Sequence, residues 1–302
     1  MAKYRALIVA GGALFALARS AGAADLLPPP PALEPPPPAA VEFNGWYLRG
    51  DAGLGVSATN PSLAISPNPL AGGGYSAAAT NDFFNSTISS SGIFDIGFGY
   101  QFNSWFRGDI TEEYRGGSHF QSLEVLNDKG PPIIQYADFY RGDVSSWVTM
   151  FNGYADLGTW YGVTPYVGAG LGFAYNKLFG VTDTGSAYNS DPAGPTGGLI
   201  VPTGGYFSDA GKWNFAWSLM AGLSFDVTQN LKLDLGYRYL DYGKFSTGSE
   251  RCLAAVTPGI DACGWVIHSK NDLASNDFRI GLRWMIGEAS YAPPQMPLVR
   301  KY

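Results

Sequence analysis

Charge is scarce in this chain, and so are the side chains that carry most enzyme chemistry. Charged residues make up 15% of its 302 positions, and there are two cysteines and two histidines. The histidines, His119 and His268, stand far apart in polar segments. A zinc-type site needs three or four ligands, so neither a metal nor a cofactor is expected. After the first twenty residues no stretch repeats its apolar positions at the helical period, which argues against a helical domain. The apolar run Ala6–Ala18 is too short to span a bilayer as a helix. With Lys3 and Arg5 before it and Ala21-Gly22-Ala23 after it, it reads as a signal peptide over residues 1–23, cut after Ala23 or, as the alternative, after Ala24. Removing Lys3, Arg5 and Arg19 from the 19 basic residues leaves 16 against 25 acidic ones, a net charge of −9. That balance argues against a nucleic-acid partner.

What the chain has in abundance is glycine, aromatic residues and a period of two. From Trp213 to Tyr242, Phe215, Trp217, Leu219, Ala221, Leu223 and Phe225 alternate with small or polar residues. After Thr228-Gln229-Asn230 the alternation resumes with Leu231, Leu233, Leu235, Tyr237 and Tyr239. Two half-apolar strands on a tight turn make an antiparallel hairpin. The unit recurs at about Gly45 to Val56, Gly92 to Phe102, Trp105 to Arg115, Ser146 to Leu157, Thr164 to Tyr175 and Ser275 to Ile286. Gly168, Gly170 and Gly172 lie within one of these strands, so they are not a dinucleotide-binding turn. Between strands, short connections alternate with long polar ones, which are expected to be loops at about 57–91, 116–143, 176–212 and 243–272.

Eight such strands predict an all-β, antiparallel up-and-down barrel over residues 43–286. The apolar face carries more Phe, Trp, Tyr and Leu than an eight-stranded interior holds, so it is expected to face lipid. Trp46, Tyr100, Trp147, Tyr175, Tyr237 and Tyr239, near strand ends, fit interfacial girdles. The opposite face would then line the lumen. It carries Arg49, Arg107, Arg115, Lys232, Arg238, Arg279 and Arg283 against Asp51, Asp95, Asp109, Glu113, Asp156, Asp226 and Asp234. Balanced charge in so narrow a space is expected to form salt bridges that plug it, because unpaired charges there are costly.

Outside the barrel, residues 24–42 hold Pro28 to Pro31 and Pro35 to Pro38 and read as a polyproline spacer with a reach of roughly 50 Å. Residues 287–302 read as a periplasmic tail. Cys252 and Cys263, close together in an exported chain, are expected to form a disulfide worth about 3 kcal/mol by loop entropy.

Gly45-Trp46-Tyr47, Thr164-Pro165-Tyr166-Val167-Gly168, Leu235-Gly236-Tyr237-Arg238-Tyr239 and Phe278-Arg279-Ile280-Gly281-Leu282-Arg283-Trp284 carry a resemblance. The chain resembles the small outer-membrane β-barrel proteins of alphaproteobacteria, with porin-like and opacity-type surface proteins and the barrel of outer membrane protein A. The resemblance implies a place in the bacterial outer membrane, contact with its lipid and lipopolysaccharide, and insertion by the barrel assembly machinery. It also gives the mature start Ala24-Asp25 a meaning, since it looks like the Ala-Asp start of barrels joined to peptidoglycan through the N-terminal amine. The expected function is structural: envelope integrity, with a peptidoglycan tether at Ala24 and Asp25. A narrow small-solute porin is the alternative, and a surface adhesin or a lipid-modifying enzyme at the rim ranks below it. His119 and His268 with Asp128 or Asp272 lack a nucleophile at a suitable spacing, so no enzymatic activity is expected. The loops name no extracellular partner.

Overall fold

The computed structural model describes residues 44–68, 70, 75–194, 196–253 and 264–286. The signal peptide, the spacer, Ala24, Asp25, Cys263 and the tail lie outside the described residues.

Eight strands form a closed antiparallel ring. They are β1 (Gly45–Ser57), β4 (Ser91–Gln101), β5 (Phe106–Asp128), β6 (Ile134–Asp156), β7 (Val163–Asn189), β9 (Ala210–Asp226), β10 (Leu231–Gly243) and β13 (Leu273–Ile286). Each pairs with the next, and β13 returns to β1 with Trp46 opposite Ile286 and Ser57 opposite Ser275. Closure leaves no open edge in this part of the sheet. The period-two pattern settles which way each side chain points. Leu48, Phe94, Ile96, Phe151, Leu171, Phe215, Phe278 and Leu282 face outward and are exposed, whereas Arg49, Asp95, Asn152, Ser218 and Arg283 face inward and are buried.

The expected lengths of the second and third loops are corrected. Strands β5 and β6 continue as one hairpin to a tip at residues 129–133, and β7 runs on to Asn189. The cause is a pair of bulges. On β5 the register slips between Arg115 and Ser118, at Gly116 and Gly117, and Gly117 has φ +75°. On β7 Gly180, with φ +63°, sits in a second slip. Each bulge adds one residue, so inward positions on β5 change from odd (Arg107 to Arg115) to even (Ser118 to Asp128), and those on β7 from even to odd. A period-two reading of the sequence loses phase there and ends both strands.

The remaining elements are β2 (Leu63–Ser66), β3 (Thr80–Ile88), β8 (Ile200–Phe207), β11 (Glu250–Cys252) and β12 (Val266–Ser269). Beyond the bulges β3, β5, β6, β7, β8 and β11 pair in that order as a six-stranded extension. Its interior reverses the chemistry of the ring below. Phe120, Val144, Leu178, Leu240 and Phe245 are buried together, and the small sheet of β2 and β12 adds Leu63, Ile65 and Ile267 to the same core. Burying these side chains contributes about 1.5–3 kcal/mol each. The expected first and fourth loops therefore hold strands, and one strand from each meets to help fill this end.

Candidate functional site: the ion-paired lumen

Of the fourteen predicted lumen charges all but Asp226 and Lys232 are buried. Those two are inward by parity, but they end β9 and begin β10 at the short-turn rim, where water reaches them. They pair with each other at 2.5 Å. Sequence reasoning missed Asp277, which shares the inward face of β13 with Arg279 and Arg283 and is fully buried.

The network has three tiers. Near the long-loop end Arg115 meets Glu113 at 2.9 Å and Asp277 at 2.8 Å, and Arg238 meets the same two carboxylates at 2.6 Å each. Ser275 and Ser91 accept from Arg115 Nη2 at 2.8 and 3.3 Å. In the middle Arg49 forks onto Asp51 at 2.7 and 2.8 Å and reaches Asp109 at 3.0 Å, while Arg279 joins Asp51 and Asp95. At the short-turn end Arg283 holds Asp234 at 3.1 Å and donates to Ser224 at 2.7 Å, and Arg107 pairs with Asp156 at 3.2 Å.

Every carboxylate in the three tiers thus has an arginine partner. Fork geometry satisfies two oxygens at once, which lysine cannot do. Nη1 and Nη2 of Arg107 have no hydrogen-bond partner. Its guanidinium instead lies over the rings of Tyr154 at 4.1 Å and Tyr166 at 4.8 Å, a cation–π contact in a desolvated place. Glycines Gly97, Gly99 and Gly281 make room for this crowd. A Cβ at Gly281 would stand 2.1 Å from an oxygen of Asp51, and one at Gly99 2.3 Å from the ring of Tyr47.

The space left over is small. Amid Arg49, Asp51, Tyr154, Tyr166, Arg238 and Arg279 the cavity measures about 10 Å³, at or below the volume that admits one water. Above the tiers lies the apolar core, so charge and then hydrocarbon fill the interior in series.

Outside, aromatic rings mark both rims. Trp46, Tyr100, Phe102 and Phe106 meet in succession at 4.9 to 5.3 Å near the short turns, the first two contacts edge-on and the third stacked. Tyr114 with Trp147, Tyr175 with Trp213, and Trp217 with Tyr239 pair at 5.1, 5.0 and 5.5 Å towards the other end. The band between them is mainly apolar; Glu112 and Thr149 face it, and the Glu112 carboxylate accepts from Thr149 Oγ1 at 2.5 Å.

The histidines do not assemble with the acids considered beside them. His119 Nδ1 lies 2.6 Å from Asp143 on the exposed surface. His268 sits in β12 opposite Ala64. Asp128 instead accepts from the backbone amides of Ser76 and Gly130 at 2.7 and 2.9 Å, and Asp272 lies 3.9 Å from Lys244.

Residues 13–285 match the family described as outer membrane protein beta-barrel domain. An uncharacterized protein of Brucella abortus (strain 2308) is 33% identical over 204 residues, 65% of this chain and 67% of that one. The outer membrane protein PagN of Salmonella typhimurium is 29% identical over 205 residues, 65% of this chain and 74% of PagN. Among solved structures, Neisserial surface protein A is similar at a TM-score of 0.39 and 15% identity, covering 81% of this chain and 99% of that one. OprG from Pseudomonas aeruginosa is similar at 0.40 and 14%, covering 82% and 98%. With lipid-compatible residues outside, ion pairs inside and a family match along most of its length, the chain belongs to the outer membrane protein β-barrel domain family and resides in the bacterial outer membrane.

Proposed function

We propose that this protein is a sealed, structural barrel that contributes to envelope integrity. The observation that carries this reading is the filled interior: six buried arginines matched to seven buried acids, then an apolar core. A solute path needs a continuous wet route, and a network this tightly paired gives a moving ion no free partner. Contact with membrane lipid and lipopolysaccharide follows from the place of the barrel. Insertion by the barrel assembly machinery is part of the reading, with the alternating Phe278, Ile280, Leu282, Trp284 and Ile286 of the last strand as the segment read. The tether completes it: the amine of Ala24, followed by Asp25 and the proline spacer, joins the barrel to peptidoglycan.

Mass spectrometry of detergent-washed sacculi, digested with trypsin and muramidase, tests the tether. The expected product is the peptide Ala24 to Arg49 with its N-terminus joined to a muropeptide. A free amine, found only in detergent-soluble protein, would remove the tether and leave the sealed barrel to be judged by conductance.

A second reading, surface recognition, is favoured by the six-stranded extension. It holds the tips at residues 129–133 and 190–194 away from the ring on paired strands rather than on loose loops.

A further inference from the structure

The extension contains a second group of buried carboxylates whose surroundings are unlike those in the lumen. Glu124 on β5, Asp138 on β6, Asp183 on β7 and Glu250 on β11 line one cavity of about 50 Å³, and no Lys, Arg or His lines it with them. In the lumen each carboxylate faces an arginine; here the partners are neutral. Glu124 accepts from Asn81 at 2.7 Å and from Tyr140 at 2.5 Å, and Asp138 accepts from Thr203 at 2.8 Å. Asp183 is 8% exposed, its carboxyl shares a hydrogen bond with that of Glu250, and no N–H or hydroxyl donor reaches its Oδ1. An ionised oxygen that is both desolvated and unpaired costs several kcal/mol. Four acids on four different strands, two of them hydrogen-bonded only to each other, form a pocket with no cationic side chain in its lining.

The rest of the lining narrows what that counter-charge is. Tyr136, Tyr140 and Trp265 supply rings beside the acids, the combination that holds ammonium and guanidinium groups in proteins. Among the described residues no three acidic, His or Cys groups converge at the spacing of a metal site. The cavity exceeds the one-water volume several-fold.

We infer that this cavity binds a small organic cation, an alkylammonium or guanidinium group seated between Asp138, Asp183 and Glu250 and the aromatic lining. The inference is independent of the tether and of the sealed lumen. When the site is empty, protons substitute for the cation. Burial, and then the charge of Asp183, pushes the Asp138 carboxyl up to about 7. Burial and then the neighbouring Glu250 raise Asp183, burial and the charges of Asp138 and Glu124 raise Glu250 although its hydrogen bond with Asp183 opposes this, and burial raises Glu124. The groups that face the pocket from all packed elements are these four acids with Tyr136 and Tyr140. An entering cation therefore displaces protons, and its affinity rises with pH.

The test is isothermal titration calorimetry on the full-length barrel in detergent, with cadaverine as probe, at pH 5.5 and pH 8. Binding should be at least about tenfold tighter at pH 8, with heats that depend on the buffer because protons are released. Asp138→Asn with Asp183→Asn should weaken it at least about tenfold, and exposed Asp82→Asn should leave it unchanged. Carboxamides remove like-charge repulsion, and the heat-modifiable gel shift of a folded barrel verifies that each variant folds; Asp183→Asn alone repeats the test should the double variant not fold. Nα-acetyl-lysine methylamide separates the sources: tighter binding than cadaverine assigns the site to a polypeptide side chain, weaker binding to a free amine. No binding of either at millimolar concentration, equal binding of 1-pentanol, or tighter binding of Ca²⁺ than of the amines overturns the inference.

Discussion

Glu113 and Arg238 are 125 positions apart in sequence and meet at 2.6 Å, each almost wholly buried. In the ring order β5 and β10 lie four strands apart in either direction, so this pair spans the full width of the barrel. The contact fixes opposite walls to each other, and Arg115 and Asp277 complete a four-membered cluster around it.

Glu113→Ala should be the most harmful single change in this tier. It leaves Arg115 and Arg238 to share one carboxylate in a buried place, a loss of about 3–5 kcal/mol. Replacing the pair together, with Glu113→Leu and Arg238→Met, should cost less than Glu113→Ala alone. Urea midpoints read from heat-modifiable gel migration decide this, and a double variant that loses as much as the sum of Glu113→Leu and Arg238→Met measured singly would show that the pair does not couple.

Conductance should respond only when both seals are opened. Arg107→Ala, Asp156→Ala, Asp234→Ala and Arg283→Ala together empty the lowest tier, yet the two other tiers and the apolar core formed with Leu63 and Ile65 still close the rest. In planar bilayers this variant should match the wild type, and only adding Arg49→Ala, Arg279→Ala, Arg115→Ala and Arg238→Ala together with Leu63→Ser and Ile65→Ser should raise the current. A rise in the first variant alone would mean that neither the remaining tiers nor the core seals.

Gly117 tests the bulge. A Cβ there would meet nothing within 4 Å, so only its φ of +75° resists a side chain. Gly117→Val should cost about 1–2 kcal/mol and Gly117→Asn much less. Hydrogen exchange should quicken from Ser118 to Asp128 in the valine variant and leave Phe106 to Arg115 as before. Equal protection in both variants would count against a bulge at this position.

The acid pocket makes the extension sensitive to pH, and the direction can be worked out. Carboxyls that ordinarily titrate near 4 hold their protons in the folded extension to higher pH, Asp138 and Glu250 until about 7 and Asp183 until about 8. The folded form therefore binds more protons than the unfolded one, and stability is lost as pH rises through that window. Exchange in β8 and β11, corrected for the intrinsic rate, should be slower at pH 5.5 than at pH 8. Asp183→Asn should flatten the difference, while a slope of opposite sign would show that these carboxyls are ionised when folded.

The proposed bridge between Cys252 and Cys263 predicts no free thiol at either position in protein taken from cells. Reduction should raise exchange only near β11 and β12. Thiol labelling at Cys252 without reductant would disprove the bridge.

Much of the fold is legible in the sequence because a strand writes its two environments on alternate residues. Leu48, Phe94, Leu171, Phe215 and Phe278 belong to lipid and Arg49, Asp95, Glu113 and Arg283 to the lumen, and no partner strand is needed to say so. The same rule failed at Gly116-Gly117 and Gly180, where one inserted residue shifts the phase and turns expected loops into strands. Lys232 and Asp226 obey the inward parity yet lie at the wet rim, because parity gives direction and not depth.

The sequence by itself determined the strand count of the ring, the two faces and the balance of charge within it, since these are local properties of each ten-residue stretch. Only the tertiary structure decided which charges meet. Glu113 finds Arg238 across the ring, whereas Glu124, Asp138, Asp183 and Glu250 gather with no cation among them, because closure and register bring together residues that no spacing along the chain relates.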